Sequence, residues 1–145
     1  MIGLLQRVTH ATVHSDGELL AQIQAGLLVL VGIRKNDDKS SADRLLQRIL
    51  TYRMFADEQG KMNRNLQDIG GGLLLVPQFS LAADTRKGTR ASFTSGAGPD
   101  QAQELFEYLC ERAKKSHTPV SLGRFAADMQ VSLVNDGPVT FWLES

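Results

Sequence analysis

A chain of 145 residues, 42% hydrophobic and 22% charged, has the length and composition of one globular domain, expected to span residues 1–145. Its 16 basic residues balance its 16 acidic ones, which argues against a protein that coats nucleic acid through its overall field and leaves only local basic patches for that purpose. No apolar run approaches the roughly 18 residues of a membrane span. The opening MIGLLQRVTH has no signal-peptide pattern, and the single cysteine, Cys110, has no partner for an internal disulfide, so a reducing, cytoplasmic setting is expected.

In chain order, residues 2–14 read as an extended strand that turns at Asp16-Gly17, a dipeptide suited to positive φ, and returns over residues 18–24. Leu27 to Val31 is a continuous apolar run, the pattern of a strand covered on both faces. A first helix is predicted over residues 40–54, with Ala42, Leu45, Leu46, Ile49 and Arg53 on one face and Ser40 as its N-cap. Gly70-Gly71-Gly72 reads as a flexible turn before a strand over Leu73 to Val76. A polar, glycine-rich loop, residues 84–98, precedes a second helix that opens at Pro99 and runs to Lys115. Its inner stripe is Ala102, Leu105, Phe106, Leu109 and Ala113. Two last strands, residues 129–134 and 139–143, flank Asn135-Asp136-Gly137-Pro138. The order predicts an α/β (α+β-like) domain, a mostly antiparallel, barrel-like sheet with two main helices.

The familiar catalytic constellations are missing. The glycine triplet lacks the Gly-Lys-Ser/Thr of a phosphate loop, and no serine sits in a glycine-flanked elbow. Cys110 falls beside the inner stripe of the second helix and reads as a packing residue. His10 and His14 would share a strand face, but four residues of strand separate them by roughly 13 Å, too far for one zinc ion. His117 reads as a solvated residue after the second helix. No metal and no cofactor are expected. Arg86, Lys87 and Arg90 in one loop, with Lys114 and Lys115 at a helix end, are the local basic groups, either solvated surface or phosphate contacts.

Two segments carry more information. Pro77-Gln78-Phe79-Ser80-Leu81 follows an apolar strand, and Asn135-Asp136-Gly137-Pro138-Val139-Thr140 lies between the last two. Together they resemble the paired motifs of D-aminoacyl-tRNA deacylases, SQFTL and NxGPVT. The likeness extends through Leu5-Gln6-Arg7-Val8, residues 26–31, Gly60-Lys61-Met62-Asn63 and residues 123–142, in the family's order and over essentially the whole chain. Two positions depart from it. Pro77 replaces the first serine and supplies no N–H, and Ser80 replaces the threonine but keeps its hydroxyl. From the residues alone, Phe79 also fits the core end of a strand, and Asp136-Gly137 also fits a plain hairpin turn.

The resemblance implies an editing hydrolase that cleaves the ester of D-aminoacyl-tRNA and of mischarged glycyl-tRNA at the tRNA 3′ end. Catalysis would be substrate-assisted, with backbone donors around the catalytic segment Gln78, Phe79 and Ser80. A cis Gly137-Pro138 element would enter a partner subunit's site and reject L-amino acids, with Arg7 bracing it or standing as a plain strand arginine. Phe125 and Met129 would line the terminal adenine pocket or pack in the core. A two-fold homodimer with interfacial sites follows from that crossing. The alternative from another class is a non-catalytic tRNA-end-binding dimer.

Overall fold

The structure, a computed structural model, describes residues 1–145. Strand β1 (Ile2–Ser15) is the spine of the main sheet. It turns back at Asp16 and Gly17, both at positive φ, into β2 (Glu18–Ile23). The next strand, β3 (Gly26–Gly32), pairs antiparallel with the first half of β1, while β2 pairs with the second half. Helix α1 (Lys39–Thr51) follows, then the short pair β4 (Phe55–Ala56) and β5 (Met62–Arg64), and a single helical turn, α2 (Leu66–Ile69). Strand β6 (Gly72–Pro77) lies parallel to β3. A 3-10 turn (Phe79–Ala82) and helix α3 (Pro99–Ser116) lead to β7 (Val120–Leu122), parallel to β6. Strand β8 (Gln130–Glu144) runs antiparallel along the free side of β1.

This sheet curls until its ends approach each other: Ser121 Oγ on β7 donates to the Gln22 carbonyl on β2 at 3.0 Å. The result is a nearly closed, barrel-like sheet. Its inside is filled by Val8, Ala11, Val13, Ile23, Leu28 and Leu74 among others. On its outer face α1 and α3 bury Leu45, Ile49, Leu105, Phe106 and Leu109 against Leu5, Leu27 and Leu73. Strands β3 and β6 are therefore buried on both faces, which is why they read as unbroken apolar runs.

Several expectations are corrected. Helix α1 begins one residue earlier, and its cap is Asp38 rather than Ser40. The Asp38 carboxylate accepts the Ser41 N–H at 2.8 Å, and the Ser41 hydroxyl accepts from the Asp38 N–H, closing a capping box. The helix stops at Thr51 rather than at Met54, because Tyr52 turns extended and packs its ring 5.2 Å from Phe141, so Arg53 is exposed beyond the helix instead of lying on its inner face. The glycine triplet makes the turn expected before β6, with Gly70 as the left-handed cap of α2, and its end is tightly packed: a Cβ on Gly26 would lie 2.0 Å from the Gly72 carbonyl oxygen, so the close approach of β3 and β6 there requires glycine at 26. His117 is not simply solvated. It is half-buried, and its ring Nε2 lies 2.7 Å from the Gly71 carbonyl oxygen, tying the end of α3 to the start of β6.

The last two strands are one element. Gln6 pairs with Thr140 and Val8 with Asn135, so Asp136–Val139 leave the ladder opposite the single residue Arg7. Both flanks continue in the same direction along β1. Asp136-Gly137 is therefore not a hairpin turn but the tip of a wide bulge.

Candidate functional site

The chain leaves β6 at Pro77 and enters the 3-10 turn through Gln78. The Gln78 N–H still belongs to the sheet, donating to the Val31 carbonyl at 2.8 Å. The first bond inside the turn is Leu81 N–H to the Gln78 carbonyl, at 3.3 Å. Phe79 and Ser80 thus hold the two N–H groups that precede the turn's own hydrogen bonding, and no side chain caps them. Two adjacent donors unbonded within the chain, at the end of a sheet strand, are suited to an oxygen that gains negative charge.

Phe79 is 70% exposed, which overturns the reading that put it in the core. Its ring stands 5.2 Å from that of Phe93, itself about half exposed, on the loop between the 3-10 turn and α3. That loop is fastened on several sides: Ala97 N–H donates to the Ile33 carbonyl at 3.0 Å, Asp84 and Ser92 bridge each other, and Ser95 Oγ donates to the Ala82 carbonyl. The Ser80 hydroxyl is exposed and accepts from Gln78 Nε2. It touches no histidine and no carboxylate, so nothing there raises its nucleophilicity.

Beside this turn opens a cleft of about 580 Å³, within the range of small-molecule sites. Pro77, Gln78 and Phe79 form one wall, and Phe125, Met129 and Val131 face them. Phe125 and Met129 are half-buried, between the cleft and the cores. Each lines the cleft, and Phe125 also packs on the helix-side core, 6.4 Å from the Phe106 ring, while Met129 packs on the barrel interior. The only ionisable side chain among the lining residues is Asp128. Cys110 lies outside this cleft; burial pushes its thiol up to about 12, where it remains protonated and inert.

The second motif is brought together with Arg7 but not with the first. Arg7 Nε donates to the Asp136 carbonyl and another guanidinium nitrogen to the Met54 carbonyl, both at 2.8 Å, with the Asp136 carboxylate 3.7 Å away. Asn135 closes the base of the bulge: its Oδ1 accepts the Val139 N–H at 2.7 Å, and its Nδ2 reaches the Val139 carbonyl and Thr140 Oγ1. Gly137 sits at φ +151°, and a Cβ there would lie 2.6 Å from Val139 Cγ2. The Gly137-Pro138 peptide is cis, as is Thr118-Pro119. No residue of the bulge lines the cleft beside Gln78, Phe79 and Ser80.

Sequence reasoning had no signal for Phe93, an isolated aromatic in a polar loop, nor for the clamp formed by Asn135, although that asparagine is part of the quoted motif. Of the loop cations, Arg86 is neutralised by a two-pronged pair with Asp84, at 2.7 and 2.9 Å, whereas Lys87 and Arg90 are exposed without an ion-pair partner.

The family model of D-Tyr-tRNA(Tyr) deacylase matches residues 4–144. The chain belongs to the D-Tyr-tRNA(Tyr) deacylase family. Proteins named D-aminoacyl-tRNA deacylase are 61% identical to it in Stutzerimonas stutzeri, over all of both chains, and 57% identical in Escherichia coli, over 99% of each. Among solved structures, one titled c-Myc DNA Unwinding Element Binding Protein superposes with a TM-score of 0.95 at 36% identity, covering 100% of this chain and 99% of the other. A probable eukaryotic D-amino acid tRNA deacylase shares the fold at a TM-score of 0.84 and 14% identity, covering 99% and 98%. In this chain the paired motifs coincide with two built features: a turn beside a cleft whose Phe79 and Ser80 N–H groups are unbonded within the chain, and a braced bulge on β8.

Proposed function

We propose that this protein hydrolyses the ester joining a D-amino acid to the 3′-terminal adenosine of tRNA. The carrying observation is the pair of Phe79 and Ser80 N–H groups, unbonded within the chain, on the turn whose Gln78 and Phe79 wall a cleft that holds no activated nucleophile, in a chain of this family. An aminoacyl ester needs only modest help, and the neighbouring ribose hydroxyl activates water. The protein then contributes position and two donors to the developing oxyanion, a contribution worth about 3–4 kcal/mol in comparable sites. The terminal adenosine occupies the cleft against Phe125 and Met129.

Chirality is enforced by exclusion. A site that accepts any D-side chain cannot read it, so it blocks the space an L-side chain needs. The bulge at Gly137-Pro138 does this from a second copy of the chain. Three features support that reading: the bulge is held rigid by Arg7 and Asn135, it does not line the cleft beside Phe79 in its own chain, and β8 leaves one edge unpaired with Val134 and Trp142 half exposed. The working unit is thus a two-fold homodimer of residues 1–145, acting in the cytoplasm with no cofactor. Glycine offers no side chain to exclude, so glycyl-tRNA is also a substrate. Lys87 and Arg90, more than the neutralised Arg86, meet phosphates near the 3′ end.

A second reading is favoured by the 36%-identical structure, whose name is that of a DNA-binding protein: a dimer that binds nucleic-acid ends without catalysis. Matched D- and L-tyrosyl-tRNA separate the two. Rapid loss of the D-ester alone supports the hydrolase, and binding of tRNA with neither ester cleaved supports the alternative.

A further inference from the structure

A second concavity shares no lining residue with the cleft. It is an open groove of about 450 Å³ between α1, β5 and β8, lined by Arg48, Thr51, Tyr52, Arg53, Met62 and Phe141. Its two charged residues are both arginines, both exposed, and neither is within ion-pair distance of a carboxylate. Arg48 is aimed by a bond to the Glu144 carbonyl oxygen, while the Arg53 guanidinium has no partner in the chain. Two arginines without an ion-pair partner thus sit together beside two aromatic rings, whereas Arg34, Arg86 and Arg112 are matched by Glu144, Asp84 and Asp43.

Its position gives the groove meaning. The Arg7 guanidinium holds the Met54 carbonyl, directly after Arg53, and the Asp136 carbonyl, directly before Gly137. One rigid group therefore fixes the groove and the bulge in a single unit. We infer that the groove of Arg48 and Arg53 binds a backbone phosphate of the substrate tRNA's acceptor stem. The inference rests on the reading of the site as a tRNA-ester hydrolase. In the two-fold pair, the bulge of one copy enters the cleft of the other and carries its groove to that cleft's rim. The 3′ adenosine then sits on one subunit while the stem crosses to the second. Guanidinium groups suit this task because their planar fork matches phosphate oxygens.

The test is Arg53→Glu, with Arg53→Lys as the charge-keeping control, in the full-length dimer. Arg53 makes no hydrogen bond in the chain, so the fold and the dimer mass are expected to persist. For D-tyrosyl-tRNA at low salt, KM rises by roughly three- to tenfold with kcat unchanged, and the salt dependence of kcat/KM weakens by about one phosphate contact. Hydrolysis of D-tyrosyl-adenosine, which has no stem, stays at the wild-type rate, and Arg53→Lys keeps most of the affinity. An unchanged KM and salt slope overturn the inference, as does an equal loss on D-tyrosyl-adenosine or dissociation of the dimer. If the wild type cleaves neither ester, the hydrolase reading fails on its own, and filter retention of tRNA by the same variants still decides the groove: undiminished retention by Arg53→Glu overturns it.

Discussion

Arg7→Met tests the brace on which the proposed chiral filter depends. The side chain is only 16% exposed and makes two charge-assisted bonds of 2.8 Å, to carbonyls 47 and 129 residues away in sequence. Bonds to a charged donor contribute about 1.5–3 kcal/mol each. The Asp136 carbonyl lies at the surface and recovers water when the guanidinium is gone, whereas Met54 is buried. Counting the Met54 bond in full and the other at a fraction, the loss is about 2–3 kcal/mol. At this chain length that lowers Tm by roughly 8–12 °C. The filter loses its anchor together with stability. If about 2 kcal/mol of positioning is released, the preference for the D-ester falls by as much as roughly thirtyfold, seen as a selective gain on L-tyrosyl-tRNA while the D-ester rate holds. Arg7→Lys keeps the charge but cannot reach both carbonyls, so it follows the same direction. The assay is paired hydrolysis of D- and L-tyrosyl-tRNA beside a thermal melt. A variant that melts within 2 °C of wild type, taken as about half a kcal/mol, and keeps its D/L ratio refutes the bracing argument.

Other substitutions separate the remaining claims. Ser80→Ala removes a hydroxyl that touches only Gln78 and leaves both backbone donors in place, so kcat/KM for D-tyrosyl-tRNA stays within about tenfold; a drop of the 100- to 10,000-fold order expected for a lost acid–base group restores a chemical role for the serine. Gly137→Ala must hold an alanine at φ +151° against Val139, which costs about 1–3 kcal/mol or displaces the bulge, and D/L selectivity falls in either case. Glu144 is held near 2 by its bonds from Arg34 and Trp142. Its folded value lies below its unfolded one, so its stabilisation is present above about pH 4.5 and is lost as pH falls toward 2. Because the carboxylate is half exposed, the effect is at most about 1 kcal/mol; the melting curves of wild type and Glu144→Gln therefore differ at pH 6 and converge at pH 2.

How much of this was legible in the sequence depends on how local each cause is. Leu27 to Val31 and Leu73 to Val76 read as buried strands because both faces are covered, and α3 read correctly because five turns of helix repeat the same stripe. The 3-10 turn at Phe79 and the three-residue strands β5 and β7 are too short to carry a period. The α1 cap was misplaced for a local reason: a capping box usually closes with glutamate or glutamine, and here Ser41 closes it on Asp38. The candidate site divides in the same way. Its residues were named by their motifs, but whether Gln78 has a free N–H depends on Val31, more than 40 residues earlier, and the partner of Arg7 lies 129 residues later. The most telling case is Asp136-Gly137. Locally it has every feature of a hairpin, and what makes it a bulge is that β1 runs long enough to pair with both of its flanks. A turn would have reversed the chain and ended the sheet at Val134. The bulge instead keeps Thr140 to Glu144 on β1, aligns Phe141 with Tyr52, and leaves Gly137 and Pro138 projecting from an otherwise continuous strand. A projection of that kind, anchored at its base by Asn135 and on its flank by Arg7, leaves Gly137 and Pro138 exposed while Val139 packs on the helix-side core, which is the geometry the proposed filter requires of an element that acts on a second copy.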